Sequence, residues 1–359
     1  MLPPWPEKVF RKKSFPLAID IGSHAVKLVQ LTRGKKGLVL GRLGIASLAH
    51  GAIADGEVRE VEEVMRAVEE LVSAEKLKEK RVAVGISGQA AIAKTIQVPQ
   101  ASGLALEEAV EAEAEQIFPF AIDETRLRRQ RLREVEVDGE TMDEYLVIAV
   151  KRKAVGDVID LFKHLKFEPM LVDLNMLAIE SAFALSGVDE DGEPTALVDV
   201  GASETLVHII QGSRTLMTRS IAFGGSRITQ TIGESLNVTR LEAEGIKMGI
   251  RTSPSPRAVA DAIRAEVERL AREMGRTFQM HAQVHPEDQI HRMVLSGGGV
   301  HLDGLPAYLA ASLDVPVELA QPFRRVEIPK DLFDPDFVEN LSPVAAVGAG
   351  LAYKALAAA

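Results

Sequence analysis

The chain reads as an α/β protein of two similar halves, with a small α+β unit inserted between them. Three observations carry that reading. An apolar strand that ends in Asp-x-Gly occurs twice, at Asp20-Ile21-Gly22 and at Asp199-Val200-Gly201, about 180 residues apart. In the first half, short strand-like apolar runs give way to helical periodicity and then return to strand. The segment over residues 96–167 has a different texture, with an acidic helix followed by an arginine-rich strand. At 359 residues the chain is long enough for roughly two ordinary domains.

The folded part opens at Leu17-Ala18-Ile19-Asp20-Ile21-Gly22, a short apolar strand that ends in a turn. Val26 to Leu31 is a returning strand, Gly34-Lys35-Lys36-Gly37 a turn, and a third strand starts at Leu38. Over residues 59–78 the period changes. Val61, Val64, Met65, Val68, Leu71 and Val72 fall on one helical face before Arg81 to Ile86 returns to strand. The insertion is predicted to hold an acidic helix from Leu104 to Ile117 and strands over 126–137 and 145–150. A helix over 155–165 is expected to complete it. The opening pattern then recurs: Ala196 to Gly201 matches Ala18 to Gly22, and Leu206–Ile210 matches Lys27–Leu31 without a gap. Residues 257–283 read as one long helix, and Met293 to Ser296 as a strand running into Gly297-Gly298-Gly299.

Composition narrows the function classes. Hydrophobic residues make up 46% and charged residues 26%, an ordinary globular balance that argues against wholesale disorder. Cysteine is absent, which removes disulfides, thiolate catalysis and Cys-ligated metals. The net charge of -10 gives no field that would attract nucleic acid. Residues 1–15 show no apolar leader and read as a solvated tail; contact of Trp5, Phe10 and Arg11 to Lys13 with an anionic membrane is the alternative. The Ala- and Gly-rich stretch from Leu341, interrupted by Lys354, reads as a buried C-terminal helix rather than a membrane span.

The chemistry is concentrated in three turns. At Asp20 to Lys27, a hairpin at Gly22 lets backbone approach a ligand, and successive N–H groups make an anion nest. Lys27 can reach back as a point charge for phosphate, and Asp20 would hold magnesium through water. The second copy, Gly201, Ala202 and Ser203 after Asp199, would pinch a polyphosphate from the other side, with Asp199 as a second magnesium or water-positioning carboxylate. Gly297 and Gly298 would let a flat ring lie against backbone. Two further signals stand apart. His281 and His285 have a spacing that can bind a metal, but no zincin Glu accompanies them and Pro286 ends the helix, so a packing role is expected. Arg126, Arg128, Arg129, Arg131 and Arg133 read as a charged edge strand, with docking of an acidic partner as the alternative.

The order of these turns resembles the phosphate-1, phosphate-2 and adenosine motifs of the actin/Hsp70/hexokinase superfamily. Its fold is an RNase H-like unit duplicated around an ATP site. Actin's first loop has the same Asp-x-Gly-Ser-x-x-Val-Lys spacing as Asp20 to Lys27. The resemblance implies ATP and Mg²⁺ as ligands, with phosphate contacts from Gly22, Ser23, Lys27, Gly201, Ala202 and Ser203. It implies adenosine contacts from Gly297 and Gly298. Glu244 and Lys247 resemble the helix bordering the adenine; a plain helical ion pair is the alternative. Val98-Pro99, the acidic helix, Phe118-Pro119-Phe120 and the run from Phe167 to Asp173 are similar to the 1C subdomain of the FtsA and PilM families. The opening motif and the absence of a long amphipathic C-terminal tail favour the PilM family of type IV pilus assembly proteins.

That resemblance implies subdomain 1A over residues 16–95 and 168–195, and 1C over 96–167. It implies 2A over 196–235 and 290–359, with the last helix returning to 1A, and 2B over 236–289. It further implies a cytoplasmic scaffold at the inner face of the inner membrane. Its expected partners are the N-terminal peptide of PilN and the pilus motor ATPases, with self-association allowed and no nucleic acid. ATP hydrolysis is expected to be slow at most, since only Ser203 offers a hydroxyl beside Asp199. An FtsA-like filament protein and a small-molecule kinase of the hexokinase branch are the alternatives.

Overall fold

Leu17, Ala18 and Ile19 are sealed on both faces, as a central strand requires. In the computed structural model they belong to β1 (Leu17–Ile21), which forms an antiparallel meander with β2 (Ala25–Arg33) and β3 (Leu38–Ser47). A short ribbon, β4 (Ile53–Ala54) and β5 (Glu57–Val58), and helix α1 (Val61–Ala74) lead to β6 (Arg81–Ile86), parallel to β1. The structure describes residues 15–54, 56–74, 77–86, 91–101, 103–118, 121–187, 192–212 and 214–359. The tail residues Trp5, Phe10 and Arg11 to Lys13, and Pro119-Phe120 of the insertion motif, lie outside these.

The insert comprises β7 (Ala91–Pro99), α2 (Gly103–Ile117), β8 (Thr125–Val137) and β9 (Glu140–Lys151). Its sheet has the order β7-β9-β8, so the arginine-rich β8 is an edge, as expected. Two of its arginines are tied down: Arg131 meets Asp143 at 2.6 Å and Arg133 meets Glu144 at 3.0 Å. The chain then re-enters the first half through α3 (Arg152–His164), β10 (Glu168–Leu174) and α4 (Asn175–Ser186). Helix α3, expected to complete the insertion, packs Val158, Leu161 and Phe162 on the same core as Leu17, Val64 and Val82. This apolar face signals that α3 is amphipathic but not which sheet it covers.

The second half repeats the plan. It runs β11 (Thr195–Val200), β12 (Thr205–Gln211), β13 (Arg214–Ile221), α5 (Gly225–Leu236), α6 (Arg240–Lys247), α7 (Pro256–Val284) and β14 (Arg292–Ser296). Then come α8 (Leu305–Leu313), β15 (Val317–Leu319), α9 (Pro335–Leu341) and α10 (Ala346–Ala358). The sheets have matching orders, β3-β2-β1-β6-β10 and β13-β12-β11-β14-β15. Register is duplicated too: Asp20 stands opposite Lys27 on β2, and Asp199 opposite Leu206 on β12. The second hairpin therefore repeats the aspartate but not the lysine.

Helices α4 and α10 lie between the sheets, in a core that joins Ala18 and Val29 of the first half to Leu197, Leu206 and Val294 of the second. A helix apolar all round belongs in such a place. Small residues are needed there: a Cβ at Gly350 would collide with the Ala178 carbonyl of α4, and one at Gly348 would come within 2.8 Å of Val29. Lys354 is accommodated by an ion pair to Asp173 at 2.6 Å. Among the described residues no single helix is long and apolar enough to cross a membrane, and α10, half of one bent pair that passes on composition, is largely buried.

Candidate functional site

In parallel sheets ligands collect at the carboxyl ends of strands, where backbone turns away and polar groups are freed. Here β1, β11 and β14 end at Ile21, Val200 and Ser296, and the three motif turns follow at once. Each Asp-x-Gly turn closes the same way. Gly22 N donates to Ala25 O at 3.0 Å, and Gly201 N donates to Glu204 O at 2.9 Å. The two turns meet across the cleft, where the Ser23 and Ser203 hydroxyl oxygens lie 2.5 Å apart despite 180 residues of separation. The cleft has a volume of about 820 Å³. It is lined by every predicted site residue: Asp20, Gly22, Ser23, Lys27, Asp199, Gly201, Ala202, Ser203, Glu244, Lys247, Gly297 and Gly298.

The glycines have geometric reasons. A Cβ at Gly22 would sit 2.9 Å from Lys27 Nζ and displace the one cation on this floor. Gly297 has φ of 85°, and its Cβ would fall 2.5 Å from Val200 O, so both conformation and space demand glycine. At Gly298 a Cβ would meet nothing within 4 Å, which leaves that backbone open to the cleft.

The electrostatics follow from one lysine between a buried aspartate, Asp20, and a half-buried one, Asp199. Lys27 Nζ donates to Asp20 Oδ2 at 3.0 Å. Burial works to lower the Lys27 pKa, but the charge and hydrogen bond of Asp20 and the charge of Asp199 outweigh it, and the pKa rises. Asp199 accepts from Ser296 Oγ at 2.8 Å. Burial pushes its carboxyl up to about 6; the Lys27 charge and the Ser296 hydroxyl oppose the shift, and Asp20 adds to it. Two carboxylates facing one ammonium leave a negative charge that a divalent cation would balance, so the donor set fits magnesium carried through water.

On the wall where adenosine is expected, Lys247 Nζ donates to Glu244 at 2.9 Å, to Thr229 Oγ1 at 2.9 Å and to the Gly225 carbonyl at 3.2 Å. Burial opposes ionisation of Glu244, but hydrogen bonds from Thr229 and Lys247 prevail and its pKa falls. These two residues are therefore both an ion pair and a wall of the cleft. The same cleft is also lined by Ile45, Ile53, Val58, Lys151, Lys153 and Val158.

Four residues were missed at the sequence level. Asn175, the first residue of α4, lines the cleft with its Oδ1 buried and unpartnered. A polar residue directly after the apolar strand Met170 to Leu174 was the available signal. Ser296 was read only as the end of a strand, yet it holds Asp199. Gly224 and Gly225 brace the second hairpin from behind: Gly225 N donates to Gly201 O at 3.0 Å and Ser226 N to Ala202 O at 2.8 Å. A Gly-Gly step opening a helix could have marked them.

Comparison with known proteins gives a consistent picture. A family model described as type IV pilus assembly protein PilM matches residues 18–356. The chain is similar to a solved structure of a PilM-PilN type IV pilus biogenesis complex, with 26% identity and a TM-score of 0.83, covering 96% of this chain and 99% of that one. It is also similar to the ethanolamine utilization protein EutJ from Carboxydothermus hydrogenoformans, at 17% identity and TM-score 0.54, covering 98% and 90%. MreB5 of Spiroplasma citri bound to AMPPNP matches at 12% identity and TM-score 0.50, covering 93% of each chain. The last two likenesses bear on the fold alone, and that fold is the actin-like one.

Proposed function

Because the chain belongs to the family of type IV pilus assembly protein PilM, with nearly its whole length matched, we propose that it serves pilus assembly as an ATP-binding scaffold. The observation that carries the nucleotide reading is the contact of Ser23 with Ser203, which puts both anion-binding turns within reach of one triphosphate. Lys27 would exchange part of its bond to Asp20 for the phosphates. Gly22, Ser23, Gly201, Ala202 and Ser203 would cradle the phosphates with backbone and hydroxyl donors. Gly297 and Gly298 would take the adenosine face, with Glu244 and Lys247 bordering it. Magnesium, held through water by Asp20 and Asp199, would supply neutralisation of the phosphate charge.

Turnover is expected to be slow. Ser203 is the one hydroxyl of the second turn, and it is already engaged by Ser23. A rate below about 1 s⁻¹, under the usual enzyme range, fits a nucleotide that fixes closure rather than one that is consumed.

The partner we infer is the cytoplasmic N-terminal peptide of a PilN-type protein, from the likeness to a PilM-PilN complex. An extended peptide needs apolar pockets and backbone partners. The part of the cleft lined by Ile45, Val58, Lys151 and Lys153 offers apolar side chains and is bordered by the insert through Lys151. Binding there would hold the protein at the inner face of the inner membrane through its partner; pilus motor ATPases and further copies of the chain are additional candidate contacts. The test is fluorescence anisotropy with a synthetic PilN N-terminal peptide, with and without Mg-ATP. Saturable binding that weakens in Ile45→Asp is expected; no binding in either nucleotide state would overturn the scaffold reading.

A further inference from the structure

The histidine pair that the cleft does not use lies in a cluster where the insert meets the second half. Arg214 of β13 lies 3.2 Å from Asp288, just after α7, and 3.7 Å from Glu144 of β9 in the insert. Thr218 of β13 donates to the Ala93 carbonyl of β7 at 2.7 Å, so the same strand is docked on the insert. In a continuous helix, residues 285 and 288 would share a face and residue 287 would point away from both. Pro286 ends the helix, and Asp288 N donates back to His285 O at 3.1 Å in a tight turn. That turn gathers the side chains: the donor atoms of His285, Glu287 and Asp288 all lie within 4.8 Å of one another.

A second observation points to a ligand. His281 is 1% exposed, and its ring centre is 5.4 Å from that of His285. Its Nε2 lies 2.7 Å from the Asp288 carbonyl oxygen. A carbonyl only accepts, so Nε2 carries a proton, and in the neutral ring Nδ1 keeps a lone pair. That Nδ1 is buried and has no partner. An orphaned imidazole acceptor in a protein interior is costly unless something binds it.

We propose that His285, Glu287 and Asp288 form a binding site for a divalent transition metal, with zinc the ion its donors suit best. One imidazole and two carboxylates make a three-ligand set of the kind zinc accepts, with a fourth position left for water. The local charge favours a cation: Arg133 and Arg214 oppose Glu144, Glu287 and Asp288, so neutral imidazoles leave one net negative charge. Arg214 occupies Asp288 Oδ2, which leaves Oδ1 for the metal. Glu287 is exposed and gives a path of entry. Because Arg214 also faces Glu144, a bound ion would stiffen the junction between insert and second half.

The test uses full-length protein stripped of metal by a chelator and titrated with zinc chloride calorimetrically, in buffer free of nucleotide and magnesium. One zinc per chain is expected, weakened about tenfold or more in His285→Ala and in Asp288→Asn, with unchanged circular dichroism. X-ray absorption of the zinc-loaded wild type should show imidazole scattering and a nitrogen/oxygen shell at about 2.0–2.2 Å. That spectrum decides the matter if either variant fails to fold. No saturable binding, a shell without imidazole, or wild-type affinity in both folded variants would overturn the proposal.

Discussion

Asp199 carries a measurable cost in the ligand-free protein, and removing its charge should make that protein more stable. In the folded state its carboxyl is pushed from 3.8 up to about 6, chiefly by burial. In the unfolded chain the same group titrates near 3.9. The unfolded state therefore loses its proton first, and each step in pH between about 4 and 6 favours unfolding. The penalty is absent below about pH 4 and complete above about pH 6. Two pH units at about 1.36 kcal/mol each set an upper bound near 3 kcal/mol; the carboxyl borders the open cleft, so water screening brings the expected range to about 1–3 kcal/mol. Asp199→Asn keeps an oxygen that can accept from Ser296 and leaves Lys27 paired to Asp20. Urea unfolding of both proteins from pH 4 to pH 7.5 measures the difference. The variant should match wild type at pH 4 and exceed it by about 1–3 kcal/mol at pH 7.5. A variant less stable at pH 7.5, or a difference independent of pH, would refute the reasoning.

Three other expectations follow from the same geometry. Lys27→Ala removes the cation proposed to meet the phosphates, so Mg-ATP affinity in a calorimetric titration should fall about 10- to 100-fold, the worth of a charged hydrogen bond. Since the chain contains no cysteine, a Ser23→Cys/Ser203→Cys variant gives a clean background; it should cross-link on oxidation and lose nucleotide binding, regained on reduction. Gly297→Ala should destabilise the protein by about 1–3 kcal/mol or more in thermal or urea unfolding, because it meets both a left-handed backbone and the Val200 carbonyl.

Much of this site was legible in the sequence because its parts are local. The strand Leu17 to Ile21 and its copy at Thr195 to Val200 announce themselves as apolar runs, and each carries its aspartate and glycine at a fixed offset. The actin-like fold followed from finding that pattern twice. What was not legible depends on contacts between distant segments. Asn175 faces the cleft only because α4 starts where β10 ends beside Gly85, a position where any Cβ would strike the Asn175 side chain. Val61 has the right spacing for the buried face of α1 yet is 46% exposed, because the helix enters at its end and Ala67 takes the core position instead. The arginines of β8 look like free charge in one dimension, but pairing with β9 sets Arg131 and Arg133 beside Asp143 and Glu144.

The most direct measurement is a crystal structure of the protein with magnesium and a non-hydrolysable ATP analogue. One triphosphate should lie between the hairpins, contacted by the turns at Gly22–Ser23 and Gly201–Ser203 and by Lys27, with the adenosine against Gly297 and Gly298. An analogue bound to one hairpin alone, or seated elsewhere on the surface, would contradict the account.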